Sequence, residues 1–338
     1  MLLFAVLATG INHLEQPLLG LNTTIDYKQL TVDLLAQLGD HLTLETVQAL
    51  LLLTWKEEGC SHSEQAWVHL GNRPFLFTEL TEGYAIRVAY HLGLNRSCRN
   101  WTFLDDEERK AREDCWWSCY VADSVISLRL GRAPTIQEDD YDVGPPICAF
   151  EPSAYRVFAH VVRLCRVINR VIREFYNVRR KATPVHSRVA RDELHVELMT
   201  WVAGLPIDLQ LPSTDIVSMH PILTMHLLFN TTLLVLHRPF LGDTVSEEAY
   251  CSAAVASSFI LAAYQYTMTG LQSNPFIIQY TLISAIALLY MTQSAEVSVS
   301  EPAKTGLQQC LAAFRASSRT WVAATHALKL LANESDAL

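Results

Sequence analysis

The sequence predicts an all-α fold, a large multi-helix bundle. Three observations carry this. Apolar residues recur at intervals of three and four along nearly the whole chain, which is the period of one helix face. Glycine and proline number only 13 each in 338 residues, too few to punctuate a many-turned β-sandwich. Pro145, Pro146, Pro184, Pro206, Pro212 and Pro239 fall in loops between the expected helices. Half of the residues are hydrophobic and 18 % are charged, which excludes compositional disorder and allows a large core.

The elements follow in order. The opening run MLLFAVLATG lacks the basic start of a secretory leader and reads as part of a core helix cut at Met1. Residues 43–56 form a helix with Val47, Leu50, Leu51 and Thr54 on one stripe. A helix ending near Leu92 is closed by Gly93, which takes positive φ, with Leu94 as the accompanying apolar contact. Asp105 and Glu108 form a capping box. The helix they open runs to about Leu130 and is stopped by Gly131 and Pro134. Further helices are expected at 153–179, 189–203, 219–236, 246–269, 275–293 and 303–332. The run 277–291 is too short and too polar to span a bilayer. No Ser/Gly-rich linker divides the chain, so a single domain is expected over 1–332, followed by a tail at 333–338.

Eight cysteines are scattered without any C-x-x-C pair. Cys115 and Cys119 share a helix face, but no neighbouring His or Cys completes a metal set, so core packing in a reducing compartment is expected. No metal or other cofactor is expected in these 338 residues. Twelve histidines yield no H-E-x-x-H, and neither a nucleophile elbow nor a phosphate loop is present. Asp105-Asp106 is followed by Arg109 where an all-α Mg²⁺ enzyme such as a terpene cyclase would need another acid. The chain therefore reads as a non-enzyme.

The helix carrying Trp116 and Trp117 is the most informative. At 100° per residue Trp116, Tyr120, Asp123 and Ser127 share one face, while Trp117, Val121, Ser124 and Leu128 lie beside them. A helix apolar on so many sides is buried, and Asp123 on its aromatic face needs a partner. Arg132 is the expected one. The following loop, IQEDDYDVGPP, holds Glu138, Asp139, Asp140 and Asp142. It lacks the spacing of a Ca²⁺ loop and reads as an acidic surface loop leading to Pro145-Pro146.

These residues resemble the signature of the fungal-specific transcription factor domain, the regulatory region of fungal zinc-cluster activators. Arg109, Arg112, Trp116, Trp117, Tyr120, Asp123, Gly131, Arg132, Ile136, Asp140, Asp142, Val143 and Pro146 match it, with Ala133 where proline is usual. LETVQALLLLTW (44–55), GYAIRVAYHLGLNR (83–96, with Gly93), LLVLHRPFL (233–241, with His237, Arg238 and Pro239) and CLAAFRASSRTWVAATHAL (310–328) resemble other stretches of the family, in family order. Deleting residues 72–83 restores the family spacing, so this stretch reads as an insertion, an extra loop. The resemblance implies a nuclear regulatory domain controlling RNA polymerase II transcription of metabolic genes. Its expected partners are a second copy or a coregulator, and a small-molecule effector. DNA would be reached only through an upstream six-cysteine zinc cluster, whose C-x2-C-x6-C spacing is absent from these residues. The alternative is a helical interaction protein without DNA binding that titrates partners.

Charge is unevenly placed. The chain is −9 overall, yet residues 153–191 hold ten basic residues against one acidic. Arg156, Arg163, Arg166, Arg170 and Arg173 fall within one ~100° arc of a helix. Arg179, Arg180 and Lys181 follow in a loop. Such a patch could meet nucleic acid or carry nuclear import, but no aromatics interleave, so pairing with the chain's own acids or with solvent is the favoured reading. His237 is expected at a helix end, capping carbonyls.

Overall fold

In the computed structural model, residues 41–60, 74–146, 153–177, 184–211, 219–265 and 274–336 are described, with a few single positions before 41. Among them are ten α-helices and no strand: α1 (Leu44–Cys60), α2 (Pro74–His91), α3 (Asp106–Leu130), α4 (Ser153–Phe175), α5 (Pro184–Ala203), α6 (Met219–His237), α7 (Thr244–Gln265), α8 (Phe276–Thr292), α9 (Val297–Ser317) and α10 (Val322–Asp336). The chain is all-α, as its periodicity predicts. The opening run MLLFAVLATG and the basic loop Arg179, Arg180 and Lys181 lie outside the described residues.

Helix ends follow their local chemistry. The Glu108 amide donates to Asp105 Oδ1 at 2.8 Å, and the Asp105 amide to Glu108 Oε2 at 3.3 Å, completing the capping box of α3. Gly93 closes α2 with φ of 65°. The amides of Leu94 and Gly93 reach back to the carbonyls of Ala89 (2.9 Å) and Tyr90 (3.0 Å), the two bonds of a Schellman motif. Gly131 (φ 61°) ends α3 in the same manner, with the Arg132 amide on the Ser127 carbonyl.

Several boundaries depart from the sequence expectation: α4 ends at Phe175 and not at 179, and α5 starts at Pro184 and not at 189, since proline is well suited to the first helical position. From Pro74 to Gly83 the chain is the first half of α2, so the stretch read as an inserted loop is helical where it is described. The expected helix 303–332 is two helices, interrupted after the Ser318 amide bonds the Phe314 carbonyl. The first of them starts ahead of Pro302, which sits inside α9 in its second turn and forfeits only one early backbone bond. The tail expected from 333 is helical as far as Asp336.

The chain groups into two compact units that interleave along the sequence. The first unit comprises Met1–Ile126, Pro134–Pro146 and Thr320–Ala323. Here α1 packs on α2, and the Thr54 hydroxyl donates to Thr81 Oγ1 at 3.0 Å. The break between α9 and α10 lets Trp321 join this unit. It is fully buried, and a Cβ on Gly59 would stand 2.0 Å from its ring. Only glycine admits that contact.

The second unit comprises Ser127–Ala133, Ile147–Arg319 and Ala324–Leu338. α6 is its central helix, packed on α4, α5, α7 and α8. Ile222 and Met225 of α6 meet Val157, Leu205 and Leu209 in one apolar cluster. Gly306 lets α9 approach closely, since a Cβ there would lie 2.9 Å from Ser258 Oγ and 3.1 Å from the Leu288 methyls.

Candidate functional site

In the first unit, the residues singled out around the Trp-Trp pair form one connected knot. Trp116, Trp117 and Tyr120 are fully buried. Tyr141 lies at their centre, with ring centroids 5.7 Å from Trp116, 5.4 Å from Trp117 and 5.9 Å from Tyr120. Tyr90 meets Trp116 edge-on at 5.3 Å. Each such pair adds ~0.5–1.5 kcal/mol beyond the burial of the rings. Tyr141 was not singled out in the sequence. Its signal is the alternation in Asp140-Tyr141-Asp142: Tyr141 is extended (φ −142°, ψ 153°), so its ring faces opposite to the two carboxylates.

The acids of the loop serve as acceptors. Asp123 is 2 % exposed, and its carboxylate accepts the amides of Thr135 (3.0 Å) and Ile136 (2.7 Å). Two of the partners demanded by burial are therefore backbone amides of the turn. Glu138 accepts the hydroxyls of Tyr120 (2.7 Å) and Tyr141 (2.6 Å). Asp140 accepts the Tyr90 hydroxyl at 3.4 Å, and its carbonyl accepts Asn95 Nδ2 at 2.8 Å. Asp142 accepts the Ser97 amide at 2.6 Å and faces Arg96 at 3.7 Å. Burial first, then the charge of Asp140, pushes the Tyr90 phenol up to about 12. The Trp117 indole donates to the Gly144 carbonyl (2.9 Å), which brings Pro146 in as a buried residue. Arg112 donates to the Leu92 carbonyl (2.6 Å), beside Gly93, and lies over Trp101 at 5.2 Å. Thus Asp140 and Asp142 tie this loop to the end of α2 and the turn after it, while Glu138 ties the loop to Tyr120 of α3.

The second unit holds a buried polar network under the His237-Arg238-Pro239 turn. His237 is 1 % exposed. Its Nε2 lies 2.9 Å from His195 Nδ1 on α5, and its Nδ1 lies 3.2 Å from Ser246 Oγ on α7. The expected carbonyl cap is therefore replaced by a bridge between helices. Arg191, 4 % exposed, donates to Asp243 and Ser246 and pairs with Asp192, and its guanidinium lies 5.2 Å from the Phe240 ring. Burial first, then the neighbouring His195 and Arg191, pulls His237 down to about 4, so at neutral pH it is uncharged. Burial also lowers His195. His195, Arg191 and Ser246 were not foreseen. Arg191 and His195 lie on one face of α5 at i and i+4, but nothing in the sequence pairs them with α7. Arg238 and Pro239 are exposed in the short 3₁₀ turn Arg238–Phe240. That turn borders an open cavity of about 670 Å³ whose lining includes Phe175, Phe240, Leu241, Glu174, Arg188 and Asp243.

The basic face of α4 has acidic neighbours within its own unit. Arg156 makes a two-pronged pair with Asp208 at 2.8 and 3.0 Å, and Arg170 pairs with Glu197. Arg163 is exposed, and Arg166 and Arg173 are half-buried. Val157, Leu164, Ile168 and Val171 are buried on the other side, as the amphipathic pattern predicts.

Compared with known proteins, residues 1–203 match the model of the fungal specific transcription factor domain. The chain belongs to this family. The matched region contains the whole knot around Trp116 and Trp117, while the His237 turn lies beyond it. The chain is 29 % identical over 261 residues to the nitrogen assimilation transcription factor nirA of Emericella nidulans, covering 66 % of the chain and 27 % of that protein. It is 31 % identical over 229 residues to the acetamidase regulatory protein of Aspergillus oryzae, covering 63 % of the chain and 28 % of that protein. The cutinase transcription factor 1 alpha of Fusarium vanettenii is 25 % identical over 320 residues, covering 84 % of the chain and 32 % of that protein. The chain thus spans about a quarter to a third of the length of these relatives. No solved structure matches it. Among the described residues, no helix is long and apolar enough to cross a membrane.

Proposed function

We propose that this chain is the regulatory domain of a fungal zinc-cluster type transcription factor, that it acts in the nucleus and that it controls RNA polymerase II transcription of metabolic genes. The observation that carries the reading is the family match over residues 1–203, within which the signature residues close into one knot. The relatives' names supply the metabolic context, nitrogen assimilation and acetamidase among them. The chain is not an enzyme in this reading: the loop carboxylates accept hydrogen bonds from protein donors, which supports a structural role. DNA contact would be made by a zinc cluster, whose cysteine spacing does not occur in these 338 residues. The open cavity beside the His237 turn is of ligand size and mostly polar, with Phe175 and Phe240 set among Glu174, Arg188 and Asp243, which is where a polar small-molecule effector would sit in this reading.

The test is a fusion of residues 1–338 to a DNA-binding module of known target, read on a reporter gene in a fungal cell. Reporter output should differ from that of the DNA-binding module alone, and should shift with the nitrogen or carbon source. Output identical to the module alone under every condition would overturn the reading. In a gel-shift assay the unfused chain should give no sequence-specific complex.

A further inference from the structure

We propose that the outer face of α5 is a seam for a second copy of this chain, with the two α5 helices side by side and parallel. A second copy is among the partners that the resemblance implies; what is proposed is the surface and its orientation, which stand or fall apart from the regulatory reading. Val185, Val189, Val196 and Met199 are 71, 51, 63 and 45 % exposed, on a helix whose other face buries Leu194 and Leu198 completely. Ile207, just past the helix, is 88 % exposed. Isolated exposed apolar residues are ordinary, but these are not scattered. Positions 185, 189, 192, 196, 199 and 203 follow the alternating four-three spacing of a coiled-coil seam, and all six are exposed.

Charge selects the occupant. Beside the seam, Arg188 and Glu193 are both exposed and stand five residues apart. In heptad terms they are a g position and the e position of the next heptad. These two positions face each other across a parallel pair of identical helices. A second copy therefore brings Arg188 to Glu193 twice, once on each side. An antiparallel pair sets g against g and e against e, and loses that match. One seam position is polar: Asp192, held by Arg191 Nε at 2.8 Å. A polar residue within a seam fixes register and weakens association, so the pairing is reversible and not obligate.

Sedimentation velocity on the full 338-residue chain tests this. A reversible monomer–dimer equilibrium is expected. Val196→Glu should raise the dissociation constant at least ~10-fold, and Asp192→Leu should lower it by ~10-fold. Arg188→Glu should weaken the dimer, and Arg188→Glu with Glu193→Arg should restore it. Circular dichroism establishes that each variant is folded. The proposal is overturned if the wild type and Asp192→Leu are both monomeric at all concentrations, as they would be if this face served a helix of another protein. It is equally overturned if a dimer forms whose dissociation constant Val196→Glu leaves unchanged.

Discussion

Asp123 sits on the aromatic face of α3, and two backbone amides, those of Thr135 and Ile136, point at its carboxylate. Asparagine there has one oxygen where the carboxylate has two, and its NH₂ faces an amide donor. Asp123→Asn should therefore destabilise the chain by about 1–3 kcal/mol in urea unfolding, whereas Asn at the exposed Asp139 should be silent. His237 gives a pH prediction at the same scale. Its folded pKa, about 4, lies below the ordinary histidine value of 6.5. Between those values the unfolded chain binds the proton and the folded chain does not, so stability falls as pH drops from about 6.5 toward 4. The melting temperature should fall over that window, and His237→Gln should flatten the fall. A variant with the same pH slope as the wild type would contradict this.

Among the elements, α3 was the most legible in the sequence, because every signal at its ends is local: Asp105 and Glu108 at one end, Gly131 at the other. The boundary between α9 and α10 was not. The apolar period runs on through 310–328 without a glycine or proline, and the chain leaves the helix there to place Trp321 against Gly59, some 260 residues away. Gly59→Ala should cost about 1–3 kcal/mol, because a methyl at 2.0 Å from the indole forces Trp321 or α1 to move. Trp321→Leu is itself destabilising, yet the double variant should be less than additive. Additive losses in denaturant unfolding would show that the two do not touch.

For the molecule as a whole, the net charge of −9 conceals a basic helix whose fields are partly closed within one unit. Asp208 and Glu197 face Arg156 and Arg170. These pairs are half-exposed, so each contributes modestly to stability, but they take charge away from any phosphate backbone. The chain should elute from heparin at low salt. Asp208→Asn with Glu197→Gln should move elution to higher salt without changing the fold; an unmoved elution position would show that the pairs do not mask the arginines.

The sequence by itself determined the helical class, most helix ends and the residues of the Trp-Trp knot, because periodicity, caps and positive-φ glycines act within a few residues. The family likeness was also legible there, since its motifs are contiguous runs. Tertiary structure alone decided what those residues bond to. Asp123 accepts the amides of Thr135 and Ile136, because a buried carboxylate takes the donors that the turn delivers. His237 joins α5 to α7 instead of capping α6, since its partners come from helices that the sequence could not bring together. The seam on α5 needed both: its spacing is written in the sequence, but only packing shows that Leu194 and Leu198 face inward and that Val185, Val189, Val196 and Met199 are left outside.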